Sequence, residues 1–174
     1  MKLDSHIGIV GLATMGQNLC MNLLDLGYRV AAWNLETQDA YRFAESQDND
    51  SLDICENLDE LIQGLEAPRK IILLVRAGEP VDEVIAQCLG LLSQGDVLID
   101  AGNSHYQDSE RRARELGEKG VEFVGLGVSG GSEGARRGPS LMFGGSDSAW
   151  QATKEILERT AAQSDYGPCL ANFG

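Results

Sequence analysis

Apolar and polar positions along this chain follow two alternating rhythms. Short unbroken apolar runs suit strands covered on both faces, and stretches with an apolar residue every three or four positions suit helices packed on one side. Residues 7–10 make the first run, and Met15, Leu19, Leu23 and Leu26 make the first helical stripe, closed by Gly27. Further strands are predicted at 29–33, 52–55 (a weak one), 70–75, 97–100 and 121–126. Between them fall a polar helix around 38–45 and a short amphipathic helix opened by Asn57. A third helix carries the stripe Val81, Val84, Ile85, Cys88, Leu91 and Leu92, with Pro80 in its first turn, and a charged fourth spans 107–119 and ends at Gly120. After Gly127 the pattern changes. Residues 130–139 read as a glycine-rich loop or a broken short helix, 140–145 as a strand, 147–161 as a helix, and the tail 164–174 has room for an edge strand.

Composition narrows the picture. The chain has 174 residues, enough for one domain with a real core, and 43% of them are apolar. No run approaches the roughly 20 apolar residues of a membrane span, and the first six residues lack the apolar stretch of a secretory leader. Cys20, Cys55, Cys88 and Cys169 are scattered, which suits free buried thiols in a reducing cytoplasm. The two histidines have no partner at metal-ligand spacing, so no metal site is expected. A net charge of −13 argues against nucleic acid and anionic membranes as partners. A phosphate site here must rely on backbone N–H groups and a few local cations.

The first run passes straight into Gly11-x-Ala13-x-x-Gly16 and then a helix. That is how a nucleotide-binding βαβ unit begins: Gly11 turns sharply, small Ala13 lets backbone approach a pyrophosphate, and Gly16 lets helix pack on strand. The first helical N–H groups then face the phosphates. An ordinary strand–turn–helix would carry the same three residues. The strand–helix alternation predicts an α/β fold, a doubly wound, mainly parallel Rossmann-type sheet with helices on both faces and a short strand–helix unit at the C-terminus. Residues 1–174 are expected to form a single dinucleotide-binding domain. In such sheets ligands sit beyond the carboxyl ends of the strands. Gly11 to Gly16, Asn34 to Thr37, Arg76-Ala77-Gly78, Asp100 to Ser104 and Gly127 to Gly131 all fall there, and all are rich in small and polar residues.

Four segments together resemble 6-phosphogluconate dehydrogenase. They are Gly-Leu-Ala-Thr-Met-Gly-Gln-Asn at 11–18, Ile-Ile-Leu-Leu-Val-Arg-Ala-Gly at 71–78, Asp-Ala-Gly-Asn-Ser at 100–104, and Phe-Val-Gly-Leu-Gly-Val-Ser-Gly-Gly-Ser-Glu-Gly-Ala-Arg at 123–136. Gly-Pro-Ser-Leu-Met at 138–142 also fits, and the likeness covers nearly the whole chain in order. The resemblance implies a cytoplasmic oxidoreductase of the pentose phosphate pathway that oxidatively decarboxylates 6-phosphogluconate to ribulose 5-phosphate and passes hydride to NADP. By position it implies that Gly11, Leu12, Ala13, Thr14, Met15 and Gly16 hold the pyrophosphate and flank the nicotinamide. Asn34, Glu36 and Thr37 would lie at the cofactor's ribose, and Val75, Arg76 and Ala77 would line it, with Arg76 where the family usually has Lys. Asn103 would sit between nicotinamide and substrate, and Ser129, Gly130 and Gly131 would bind the substrate carboxylate in an anion-binding turn. Side chain to backbone bonds that merely stabilise turns are the competing account of Asn103 and Ser129.

The chain also departs from the family. The usual Asn-Arg-Thr or Asn-Arg-Ser after the second strand, which holds the 2′-phosphate of NADP, is Asn34-Leu35-Glu36-Thr37 here. Leu35 cannot pair with a phosphate, and a carboxylate about 20 residues past the glycine motif suits a free ribose 2′-hydroxyl. NAD is therefore suspected in place of NADP, although Glu36 would also be at home in a helix's first turn and Arg42 offers a cation one turn on. The family's helical domain, with its general base, its acid and most of its dimer contacts, is expected to be absent, so the chain alone is expected to be inactive. His105, two residues past Asn103, reads as a solvated turn histidine rather than a base. Phe143 replaces a usual Pro, with only a local loop change expected. Two alternatives stay open: a domain of another β-hydroxyacid dehydrogenase, and a stand-alone, non-catalytic nucleotide-binding module.

Overall fold

A computed structural model describes residues 4–174; residues 1–3, part of the start read for a leader, lie outside the described residues. Six parallel strands follow one another: β1 (Ile7–Val10), β2 (Val30–Trp33), β3 (Leu52–Ile54), β4 (Lys70–Leu73), β5 (Val97–Asp100) and β6 (Glu122–Ser129). The helices between them are α1 (Thr14–Asp25), α2 (Thr37–Gln47), α3 (Leu58–Gln63), α4 (Glu79–Cys88) and α5 (Tyr106–Gly117). Then come α6 (Gly131–Arg137), β7 (Ser140–Gly144), α7 (Asp147–Thr160), the short pair β8 (Gln163–Ser164) and β9 (Gly167–Pro168), and β10 (Leu170–Asn172). The large sheet has the order β10-β7-β6-β5-β4-β1-β2-β3. The chain winds outward both ways from the β1–β4 pair, so the crevice of the doubly wound sheet opens at the ends of those two strands.

Each face of the sheet has its own core. Ile7, Ile9, Val30, Ile72, Ile99 and Val124 point to the face covered by α1, α2, α6 and α7, while Val10, Ile71, Leu73, Leu98 and Phe123 point to the face covered by α3, α4 and α5. That is the period-two alternation of a strand buried on both sides. Local signals set the helix ends. Asn57 caps α3 by accepting from the Glu60 N–H at 2.8 Å, and the Glu60 carboxylate accepts from the Glu56 N–H at 2.8 Å. Ser146 caps α7 in the same way through the Ala149 N–H. Buried Asn22 of α1 donates to the carbonyls of Ala135 and Thr160, both at 3.1 Å, and so ties α6 and α7 to α1. Cys20 lies in one core and Cys55 and Cys88 in the other, all three as free thiols. Burial pushes Cys20 up to about 12 and Cys88 to about 11, and Cys55 to about 12 with help from Glu60 and Asp53.

Three expectations need correction. β6 does not stop at Leu126 but runs on through Ser129, because β7 pairs with it antiparallel from Gly125↔Gly144 to Ser129↔Ser140. Ser129 is thus the last residue of a strand rather than part of a free loop. The replacement at Phe143 is no mere loop change: the residue lies in β7, within the strand expected at 140–145, and is fully buried with its ring 5.0 Å from that of Trp150. The strand from 70 ends at Leu73, so Leu74 and Val75 already belong to the connection toward α4. The tail does supply an edge strand, with β10 parallel to β7.

Candidate functional site

The glycine motif makes the tight turn between β1 and α1. Gly11 has φ +98°, which a side chain rarely adopts, and a Cβ there would lie 2.5 Å from the Leu74 carbonyl oxygen. A Cβ on Gly16 would overlap the carbonyl oxygen of Gly11. Ala13 opens α1 with no side-chain cap, and the first turn holds no acidic residue. The leading N–H groups of a twelve-residue helix therefore face the crevice, with the positive end of its dipole behind them. Ala13 and Thr14 are exposed and Met15 half-buried. Leu12 is buried, and its N–H donates to Asn34 Oδ1 at 2.9 Å. Gln17 Nε2 donates to the Leu12 carbonyl at 2.9 Å. Asn34 thus works across 22 residues to brace the glycine turn, which spacing alone did not reveal.

Beyond β2 the surface is open. Leu35 is 78% exposed. Glu36 takes the N-cap position of α2 but makes no capping bond, and its carboxylate has no partner among the described residues. Half-buried Thr37 begins the helix. Arg42, the candidate rescuer of a phosphate, pairs with Asp39 at 3.0 Å. Beyond β4, exposed Arg76 has no ion pair among the described residues and is a cation free for an anionic ligand. Ala77 beside it is exposed and Val75 half-buried.

Beyond β5 the turn is held by hydrogen bonds. Asn103 is exposed and stands at φ +59°. Its neighbours are tied down: buried Asp100 accepts from the Gly102 N–H at 3.0 Å and from Ser104 Oγ at 2.6 Å. A Cβ on Gly102 would come within 2.5 Å of the Val75 carbonyl oxygen, so the turns after β4 and β5 touch. Sequence reasoning missed Arg112. It is 1% exposed, inside the helix that its sequence marked only as charged. Its Nε and Nη2 hold Asp82 at 2.9 and 3.0 Å, and its other contacts reach Ser104 Oγ at 3.0 Å, Asp100 at 3.3 Å and the Gly78 carbonyl at 2.9 Å. Hydrogen bonds from Arg112 and Arg111 hold the Asp82 carboxyl down to about 2. His105 caps α5 by accepting from the Gln107 N–H at 3.4 Å. An open groove of about 560 Å³ starts at Asn103 and runs past Tyr106 and Gly127 to Gly145. Ser129 and Gly130 are exposed at the same end of the sheet, where Gly130 (φ +125°) and Gly131 (φ +62°) turn the chain into α6.

No group of three or more His, Cys, Asp or Glu side chains among the described residues is placed to hold a metal ion. No helix among them is long and apolar enough to cross a membrane. The uncapped α1 terminus, the glycine turn without room for side chains and Arg76, which has no ion pair among the described residues, suit a bound pyrophosphate. Fold and site together define a Rossmann-type NAD(P)-binding domain.

The sequence model for the NAD binding domain of 6-phosphogluconate dehydrogenase matches residues 6–172, and the chain belongs to that family. It is 53% identical to the decarboxylating 6-phosphogluconate dehydrogenase of Candida albicans over 94% of this chain and 32% of that protein. It is 48% identical to the decarboxylating enzyme 1 of Saccharomyces cerevisiae over 99% of this chain and 35% of that protein. The chain thus spans about a third of the length of these curated relatives and corresponds to their N-terminal domain. The Plasmodium falciparum 6-phosphogluconate dehydrogenase, solved in its apo form, with its cofactor NADP+ and with its substrate, superposes with a TM-score of 0.91 at 41% identity over 97% of this chain and 37% of that one. A 3-hydroxyisobutyrate dehydrogenase from Mycobacterium tuberculosis shares the fold alone, with a TM-score of 0.81 at 21% identity.

Proposed function

We propose that this chain is the coenzyme domain of a protein that oxidatively decarboxylates 6-phosphogluconate to ribulose 5-phosphate, with residues 1–174 acting as one dinucleotide-binding unit. The observation that carries the reading is the convergence of an uncapped helix N-terminus, the glycine turn and the Asn103 turn at the ends of β1, β4 and β5. In this reading the N–H groups of Ala13, Thr14 and Met15 hold the pyrophosphate, Gly11 and Gly16 leave room for it, and Leu12 and Asn34 brace that turn. Arg76 adds the local cation that a chain of net charge −13 needs, while Val75 and Ala77 line the nicotinamide side. The bound nicotinamide supplies the hydride acceptor. Asn103 orients it against the sugar acid, and Ser129, Gly130 and Gly131 bind the substrate carboxylate. Asp100 is engaged with Arg112 and His105 with its helix, so the base that deprotonates the sugar hydroxyl lies outside this cluster. The 174-residue chain alone therefore produces no ribulose 5-phosphate. A cytoplasmic location, and a dimer formed mainly through other segments, belong to the same proposal.

Within it, Glu36 and Leu35 select NAD over NADP. The Glu36 carboxylate, without a partner among the described residues, is placed to accept from a ribose 2′-hydroxyl and repels a 2′-phosphate. Losing an Arg contact to that phosphate costs NADP about 2 kcal/mol, or more than tenfold in affinity. Titrating the protein with NAD and NADP by calorimetry in one low-salt buffer tests both levels. Tighter NAD binding is the expected result, tighter NADP binding overturns the preference, and binding of neither up to millimolar concentration overturns the coenzyme reading.

A further inference from the structure

We infer that Arg112 is a positioning residue of the crevice: it locks the connections after β4 and β5 to one another and so sets the place from which Asn103 meets the nicotinamide. The inference rests on the coenzyme reading above. One guanidinium bridges Asp82 in the first turn of α4, the Gly78 carbonyl just before that helix, Asp100 at the end of β5, and Ser104 just beyond Asn103. Asp100 completes the bracket by holding the Gly102 N–H on the other side of Asn103. A residue at φ +59° persists in that conformation when its surroundings over-determine it, and here both neighbours of Asn103 are pinned to one buried ion pair.

Position argues against a purely structural role. A buried ion pair adds little net stability over well-packed apolar side chains, and it is a weak reason to keep an arginine in a core. This one lies at the carboxyl ends of the strands, where it joins two ligand-facing turns. Only a planar fork with five donors serves four acceptors at once, and lysine lacks that geometry.

The test compares the wild-type protein with S104A and R112K. S104A removes one bond to Arg112 and one to Asp100 while leaving the ion pairs in place, so it keeps the question open to measurement if R112K folds poorly. Each protein is titrated with ADP-ribose, which fills the adenosine, pyrophosphate and second-ribose positions but lacks the nicotinamide, and with NADH, whose nicotinamide fluorescence reports its own surroundings. Both variants should bind ADP-ribose within about twofold of wild type, yet bind NADH about tenfold more weakly and lose the fluorescence change. Equal weakening toward both ligands means a general structural role and overturns the inference, as does unchanged NADH binding and emission. Wild type that binds neither ADP-ribose nor NADH refutes the coenzyme reading itself and the inference with it.

Discussion

The two ends of the crevice are built on opposite principles. At the far end, past β2, the Leu35 and Glu36 side chains stand in solvent, and the Glu36 carboxylate makes no capping bond. At the near end, past β5, Asn103 is exposed, but Gly102 on one side is held by Asp100 and Ser104 on the other by Asp100 and by Arg112, a buried arginine that also reaches α4 and the turn before it. Side chains that select a ligand can be exchanged at the first end with little consequence for the fold. At the second end the same exchange pulls on a network that the core depends on.

The largest effect should come from breaking the near end. R112M leaves Asp100 buried without its partner and should destabilise the domain by about 3 kcal/mol in urea unfolding. G102A should follow at about 2 kcal/mol, because its Cβ meets the Val75 carbonyl, a backbone atom with no freedom to step aside. Acid should act on the same network with a defined sign. Asp82 sits at about 2 when folded and near 4 when unfolded, so it stabilises the fold above about pH 4, and that contribution fades as pH falls toward 2. Melting temperatures from pH 6 down to pH 2 should show a shallower acid limb in D82N than in wild type. The smallest effect on stability belongs to the far end. L35R combined with E36T should change unfolding free energy by no more than about 0.5 kcal/mol while shifting preference toward NADP at least about tenfold. A stability loss as large as that of R112M would erase the contrast between the two ends.

What the sequence reveals here depends on how local the cause is. The glycine turn and the Asn57 cap follow from neighbours within a few residues and stand where expected, and the apolar run from 70 does form β4, though the strand stops two residues early at Leu73. The Asn103 turn was also legible as a cluster of small and polar residues at a strand end. Arg112 was not, because its burial depends on Asp82, thirty residues away on another helix. Ser129 was misplaced for a related reason: Gly127, Gly130 and Gly131 imitate a loop, and only the antiparallel partner β7 shows that the strand predicted to end at Leu126 runs on through Ser129. The strand at 140–145 was legible, but the burial of Phe143 within it was not, since that depends on the Trp150 ring of α7.

The unequal distribution of thiols has a practical consequence. Cys20 sits under one layer of helices and Cys55 and Cys88 under the other, all three largely protonated and shielded. An alkylating reagent reaches them only when a layer lifts away. Pulse labelling read by peptide mass therefore times the opening of each side of the sheet separately, with the protein's own sulfur atoms as the stopwatch.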